Sequence, residues 1–141
     1  MRSRTGSADT AFGPEHPDTA NSLQNLAALL KNQGDLAGAR PLQERALASF
    51  GKALGPEHPD TNRARCNLGR LLLLIGRPTE ALTLGETALT SLDKVLGRDH
   101  AWAKDSARVT ADALDALGRT EEAKALRERY GLTSSDDPEP S

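Results

Sequence analysis

The sequence predicts an all-α fold in which pairs of helices stack into a solenoid. The segment GPEHPDT occupies residues 13–19 and recurs unchanged at 55–61. A more divergent copy, GRDHAWA, follows at 97–103. Between these segments the apolar residues recur at helical spacing, and a glycine interrupts each helical stretch. A fixed period of about 20 to 50 residues is typical of architectures in which each unit buries its apolar face against the next.

Composition limits the classes of function. The chain has 141 residues, enough for one domain with its own core. Its net charge of -2 and aromatic content of 3% provide neither a basic surface nor a stacking platform for nucleic acid. The longest apolar run, 71–75, is far shorter than the roughly 20 residues of a membrane-spanning helix, and the N-terminus lacks the apolar stretch of a secretory signal. We therefore expect a cytoplasmic protein that binds neither nucleic acid nor membrane.

The repeat has a period of 42 residues. A shift of this length places Asn25 on Asn67 and Gly34 on Gly76, and a second shift reaches Gly118. Because glycine suits the left-handed position that ends a helix, these three glycines separate two helices in each copy. The predicted helices span residues 17–32, 36–53, 60–75, 78–95, 102–117 and 120–130.

Several residues suit the helix ends that this pattern predicts. Pro78 fits a first turn, and short polar side chains can cap the N-termini. The candidate caps are Asp35 and Thr120 for second helices and Asp18, Thr19, Asp60 and Thr61 for first helices. Pro41 conflicts with its predicted helix because it removes a backbone hydrogen bond. We expect that helix either to begin later or to bend at Pro41.

The repeats resemble the tetratricopeptide repeat, a helix pair with small residues where the helices touch and a glycine in the turn. The small contact residues are Ala27, Ala39 and Ala46 in the first copy, Gly69, Ala81 and Ala88 in the second, and Ala111 and Ala123 in the third. The usual repeat has about 34 residues. The longer form, with its His-Pro connector and Asn-Leu-Ala helix, is similar to the repeats of kinesin light chains.

This resemblance implies a right-handed superhelical stack of about three repeats. We expect the repeats at 13–54, 55–96 and 97–131, the last one truncated and capping. A disordered segment with a remnant of a preceding repeat is expected at 1–12, and a disordered acidic tail at 132–141. The polar face of the capping helix carries Glu121, Glu122, Lys124, Arg127, Glu128 and Arg129.

The resemblance also implies a concave groove lined by the first helix of each repeat. The groove candidates are Asn21, Gln24, Asn25 and Lys31 in the first copy, Arg63, Asn67, Arg70, Leu73 and Leu74 in the second, and Arg108 in the third. Asn25 and Asn67 recur at one position, and an amide can hold the backbone of an extended peptide. The alternative is that each asparagine bonds a neighbouring helix.

The run LLLLI at 71–75 is too apolar to be buried by one helix face. We expect Leu73 and Leu74 to point into the groove, where Arg63 and Arg70 would favour a peptide with an apolar anchor and nearby acidic groups. Burial against the third repeat or in a homodimer contact is the alternative. Asp105 stands where a clamp for a C-terminal carboxylate would need a basic residue, which argues against chaperone-tail binding.

The recurring histidines raise the question of a metal or acid–base site. His16, His58 and His100 occur once per repeat, on the order of 10 Å apart in a helical stack. A metal needs ligands about 2 Å from the ion, so we expect these histidines to be turn residues. The sequence contains no nucleophile motif, phosphate loop or Cys/His metal spacing. We expect no catalytic activity and no cofactor.

Three hypotheses about function follow. The first is an interaction module that binds a peptide segment of a partner protein in its groove. The second is self-association through the open first repeat, which would give a homo-oligomer. The third is that the chain is a fragment of a larger signalling or regulatory protein.

Overall fold

The computed structural model describes residues 16–132, which form six α-helices and no strand. The helices are α1 (Pro17–Asn32), α2 (Leu36–Leu54), α3 (Pro59–Ile75), α4 (Pro78–Leu96), α5 (Ala101–Ala116) and α6 (Thr120–Arg129). Each end lies within one residue of its predicted position, so the all-α prediction is confirmed. The expectations for residues 1–12 and for most of the acidic tail lie outside the described residues.

The described residues divide into two compact units, the first ending at Ala64 and the second beginning at Arg65. In the first unit, Ala20, Phe50 and Ala64 form a buried cluster, against which Leu47 and Leu54 pack. Burying the aromatic ring of Phe50 beside two alanines requires close approach of the helices, which only small side chains permit. Ala20 and Ala64 were not among the predicted contact residues, whereas the predicted Ala27, Ala39 and Ala46 are also buried.

The second unit has two buried clusters. One comprises Cys66, Ala88, Leu92, Ala103 and Val109, with Leu73, Leu96 and Trp102 packed against it. The other comprises Leu89, Ala107 and Tyr130, with Leu126 and Leu132 packed against it. The sequence predicts that Leu132 begins the disordered tail, but Leu132 packs against this cluster, and its backbone N–H donates to the carbonyl of Arg127 at 2.8 Å.

The predicted glycine turns are confirmed at all three positions. Gly34, Gly76 and Gly118 have φ angles of 88°, 92° and 81°. In the first turn the N–H of Gly34 donates to the carbonyl of Lys31 at 2.9 Å, and the N–H of Asp35 donates to the carbonyl of Leu30 at 2.8 Å. These two bonds are those of a Schellman motif, which satisfies the last carbonyls of the helix.

The second helices begin as predicted in two of three cases. Asp35 caps α2, since its Oδ1 accepts from the N–H of Gly38 at 2.9 Å, and Pro78 is in the first turn of α4. The prediction for Thr120 is wrong, because Thr120 is already the first helical residue and Arg119 takes the cap position without a side-chain bond. Pro41 lies inside α2, which starts at Leu36, so this helix does not begin later.

The first helices are capped by histidines. The Nδ1 of His16 accepts from the N–H of Asp18, and the Nδ1 of His58 accepts from the N–H of Asp60, each at 3.0 Å. His100 and Trp102 repeat the bond at 3.0 Å. The predicted caps from Asp18, Thr19, Asp60 and Thr61 are therefore wrong. A proline follows two of these histidines and restricts them to the extended backbone that a cap residue needs.

Candidate peptide-binding surface

A stripe on α3 and the facing turn of α5 contain the candidate residues of the second unit. Asn67, Arg70 and Leu74 are spaced three and four apart, so they share one face of α3. Leu74 is 56% exposed. The Oδ1 of Asn67 accepts from Nη1 of Arg70 at 3.2 Å, so the amide and the guanidinium are held together on the helix surface.

The two candidate leucines of the apolar run, Leu73 and Leu74, have different environments. Leu74 is exposed, whereas Leu73 is partly buried against the cluster that contains Val109 of α5 and Ala103. The side chain of Leu73 is therefore partly buried against the third repeat, which is the alternative interpretation of the apolar run. Leu73 and Leu74 are adjacent and therefore lie 100° apart around the axis of α3, so only Leu73 faces α5.

The α5 side of this surface is charged. Arg108 is exposed, and its Nη1 donates to Oδ1 of Asp105 at 2.8 Å, one turn apart on the same helix. Arg70 and Asp105 both act on the buried thiol of Cys66: burial raises its pKa, Arg70 opposes that shift, and Asp105 adds to it. The two charged side chains therefore flank one thiol, and with Arg108 they make a small surface with one net positive charge.

The candidates of the first unit are arranged differently. Asn21 and Asn25 are exposed on α1, Lys31 is half-buried, and Arg63 is exposed near the start of α3. Gln24 is buried, and its Oε1 accepts from Nε2 of Gln43 at 3.0 Å. The amide of Gln24 is therefore satisfied within the core of this unit, which a helical period in the sequence does not reveal.

An ion-pair cluster between α5 and α6 was not predicted. The sequence predicts Arg127 on the polar face of the capping helix, but its side chain is buried. Its Nη2 lies 2.7 Å from Oδ1 of Asp112 and 2.7 Å from Oδ2 of Asp115. The signal for this cluster in the sequence is the spacing of the two aspartates, three residues apart on α5. This spacing does not identify the residue of another helix that pairs with them.

Residues 16–132 contain neither a metal site nor a membrane-spanning helix. Within this range no group of three His, Cys, Asp or Glu side chains is placed to hold a metal ion. None of the helices described here has the length and apolar character needed to cross a membrane.

The repeat matches known proteins in sequence and in structure. Residues 25–93 match the sequence model of the tetratricopeptide repeat. Two crystal structures of a Podosopora anserina protein with kinesin light chain nearly identical TPR-like repeats align with TM-scores of 0.72 and 0.74, at 30% and 29% identity, over 84% and 88% of this chain. BtubC (BKLC) from P. vanneervenii aligns with a TM-score of 0.77 over 96% of this chain, at 19% identity.

The sequence of residues 25–93 therefore matches the tetratricopeptide repeat, and the predicted α-solenoid class is confirmed. Its repeats are kinesin-light-chain-like, as the long period and the histidine connector indicated. The chain spans 56%, 61% and 57% of the three solved chains. A short stretch is also 67% identical over 33 residues to a protein named biofilm formation methyltransferase WspC from Pseudomonas putida, covering 23% of this chain and 7% of that protein.

Proposed function

We propose that this chain is an interaction module that binds an extended peptide segment of a partner protein on the surface formed by Asn67, Arg70, Leu74, Asp105 and Arg108. Tetratricopeptide repeats in general serve as scaffolds for protein–protein interaction. The observation that carries the finer proposal is Leu74, an apolar side chain that is exposed between charged and amide groups.

The chemistry of this surface selects the kind of peptide. Leu74 supports contact with an apolar side chain, which loses water on binding and contributes roughly 25 cal/mol per Å² of buried apolar area. Arg70 and Arg108 favour a carboxylate a few residues away from that anchor. The amide of Asn67 can pair with the peptide backbone without reading the peptide sequence.

The ion pair between Arg108 and Asp105 does not oppose this role. Both side chains are about half exposed, and exposed pairs contribute only about 0 to 1 kcal/mol. Arg108 can therefore exchange Asp105 for a carboxylate of the peptide at small cost.

The module has no catalytic step of its own in this proposal, and we place it in the cytoplasm.

Selection from a phage-displayed library of random peptides on the immobilised protein tests the proposal. We expect a consensus with one large apolar residue and an aspartate or glutamate within a few positions of it. Leu74→Asp and Arg70→Glu should each weaken the selected peptide about tenfold or more, which corresponds to about 1.4 kcal/mol.

A matched control is Val95→Asp, since Val95 on α4 is 51% exposed and lies outside the surface. It should leave the affinity unchanged. Peptides without the apolar and acidic pattern would contradict the proposal, as would equal binding by Leu74→Asp and the unmodified protein. Thermal unfolding of each variant shows whether the fold is retained.

A further inference from the structure

A cleft of about 540 Å³ lies in the second unit, between α4, α5 and α6. Its apolar lining includes Leu89 of α4, Leu114 of α5 and Leu126 of α6. Leu89 and Leu114 are buried, and Leu126 packs against the cluster that contains Leu89. The volume is in the range of pockets that bind ligands, roughly 300 to 1,000 Å³. This α4–α6 cleft shares no lining residue with the peptide-binding surface proposed above.

One end of the α4–α6 cleft is negative. Glu86 of α4 and Glu122 of α6 line it, and both are exposed. Arg119 donates to the two carboxylate oxygens of Glu122 at 2.8 and 2.9 Å. This hydrogen bonding is the main reason why the pKa of Arg119 is raised, and the charge of Glu86 adds to it, so Glu86 also lies near the start of α6. Two carboxylates and one guanidinium leave one net negative charge at this end.

The other end of the α4–α6 cleft is positive, because Arg129 lines it. Arg129 follows Glu122 by seven residues, so the two share one face of α6 about 10 Å apart along its axis. The adjacent Tyr130 donates its hydroxyl hydrogen to Asp93, which follows Glu86 by seven residues on α4. The two helices therefore run side by side in the same direction, with the negative end at their earlier residues.

The charges of Glu86 and Arg129 are open to a ligand. Within residues 16–132 neither side chain forms an ion pair, whereas Arg119 and Arg127 on the same side of the unit are paired with carboxylates. Glu86 and Arg129 are both exposed. Such charges orient a partner and suppress the wrong one, while the leucines supply apolar contact area.

We infer that the α4–α6 cleft binds an extended segment of a partner protein in which a large apolar residue lies between a basic and an acidic residue. The apolar side chain packs on the three leucines, the basic residue faces Glu86 and the acidic residue faces Arg129. Residues two apart in an extended segment share a face. The basic and acidic residues, each two positions from the apolar one, are then about 13 Å apart, which their long side chains adapt to the cleft.

This chemistry distinguishes the segment from the chain's own sequence. Residues 133–141 contain neither a basic nor a large apolar residue. Near the N-terminus, Phe12 follows Arg4 by eight residues, where a spacing of two is needed. In the described part of the chain, no connector between helices is longer than four residues, so a second copy presents no extended segment of five from there. The inference does not depend on the peptide-binding proposal, since the two surfaces differ in residues and in the charge they require.

The probe for the α4–α6 cleft is the peptide Lys-Ala-Leu-Ala-Glu, acetylated and amidated at its ends and titrated into the full chain. We expect the methyl resonances of Leu89, Leu114 and Leu126 to shift. Glu86→Lys should weaken binding about tenfold or more, since it places two cations together. The peptide Lys-Ala-Ala-Ala-Glu is the matched control and should not bind, because it lacks the apolar side chain.

A charge-exchange experiment separates recognition from a change in folding. The peptide Glu-Ala-Leu-Ala-Glu should bind Glu86→Lys at least tenfold more tightly than it binds the unmodified protein. A variant that merely perturbed the fold would not gain this affinity. Equal binding of both peptides by both proteins overturns the inference, as does the absence of any methyl shift with the first peptide.

Three further outcomes assign the cleft or the peptide differently and also overturn the inference. If Leu74→Asp weakens binding of the first peptide as much as Glu86→Lys does, the peptide binds at the other surface. If deletion of residues 1–12 or 133–141 shifts the methyl resonances of Leu126, a segment of this chain occupies the cleft. If Glu86→Lys abolishes a dimer seen by light scattering, the occupant is a second copy.

Discussion

The guanidinium of Arg127 in α6 donates a hydrogen bond to the carboxylate of Asp112 in α5, with Nη2 and Oδ1 2.7 Å apart. The same nitrogen lies 2.7 Å from Oδ2 of Asp115. The arginine is buried, whereas both aspartates remain partly exposed, so the pairs keep contact with water on one side. This cluster joins α5 to α6.

Removing the guanidinium should destabilise the protein. Arg127→Ala leaves two aspartates near each other without their cation, and we expect a loss of about 1 to 3 kcal/mol in the free energy of unfolding. Chemical denaturation in urea measures it. Lys124→Ala, an exposed change on the same helix, should stay within about 0.5 kcal/mol. Equal stability of the two variants would show that the cluster contributes nothing.

The histidine caps should be replaceable by asparagine but not by alanine. In His58→Ala the N–H of Asp60 loses its acceptor, and we expect a cost of about 1 kcal/mol. His58→Asn supplies an oxygen acceptor at a similar place and should retain most of that stability. Urea denaturation of both variants tests this. If asparagine is as damaging as alanine, the cap bond is not the reason for the histidine.

The contact between Gly85 and Thr110 leads to a paired prediction. Gly85→Ala places a methyl group against Oγ1 and backbone atoms of Thr110, and we expect a net loss of about 1 to 2 kcal/mol. Gly51→Ala on α2 meets no atom within 4 Å and should stabilise by about 0.5 to 1 kcal/mol through helix propensity. Thermal unfolding of both variants compares them. A stabilising Gly85→Ala would contradict the close packing.

Stability at high pH should depend on Tyr130. Burial, together with the hydrogen bond that its hydroxyl donates to Asp93, raises the pKa of Tyr130 to about 12. The pKa of Tyr130 in the folded state thus exceeds the ordinary value of about 10. The contribution of its protonated hydroxyl to the stability of the folded protein is therefore complete below pH 10 and is lost as the pH rises through 12. As this is the only tyrosine, ultraviolet absorbance of the phenolate reports its titration directly.

Tyr130→Phe provides the control for this pH dependence. It removes the ionisable hydroxyl but keeps the ring packed near Leu89 and Ala107. The difference in the free energy of unfolding between the unmodified protein and Tyr130→Phe should decrease above pH 10, because only the unmodified protein has a hydroxyl that loses its proton there. A tyrosine that titrates at its ordinary pKa in the folded protein would refute the prediction.

Much of the fold could be predicted because its determinants are local. A helix follows from the spacing of its own apolar residues, and a turn follows from a glycine that alone accepts a positive φ easily. Gly34 and Pro78 therefore mark helix ends reliably. The caps were harder to predict, because histidine is not among the usual cap residues and only its position before a proline indicates the role of His58.

The candidate site was predicted less completely than the helices. Helical spacing correctly placed Leu74 on an exposed face, but it could not separate Leu73 from it, because the position of α5 decides which leucine is covered. Gln24 illustrates the same limit, since its burial depends on Gln43, nineteen residues further along the chain. Whether the exposed positions bind a peptide stays a prediction.

The sequence by itself determined the repeat, through its self-similarity at a period of 42 residues, and the ends of the helices, each of which depends on residues within one or two turns of one another. Only the tertiary structure decided that Arg127 lies buried between two aspartates and that Leu26 and Leu29 are about half exposed. The physical reason is that burial belongs to a pair of surfaces. A helix pattern specifies one surface, and the element packed against it decides which side chains lose contact with water.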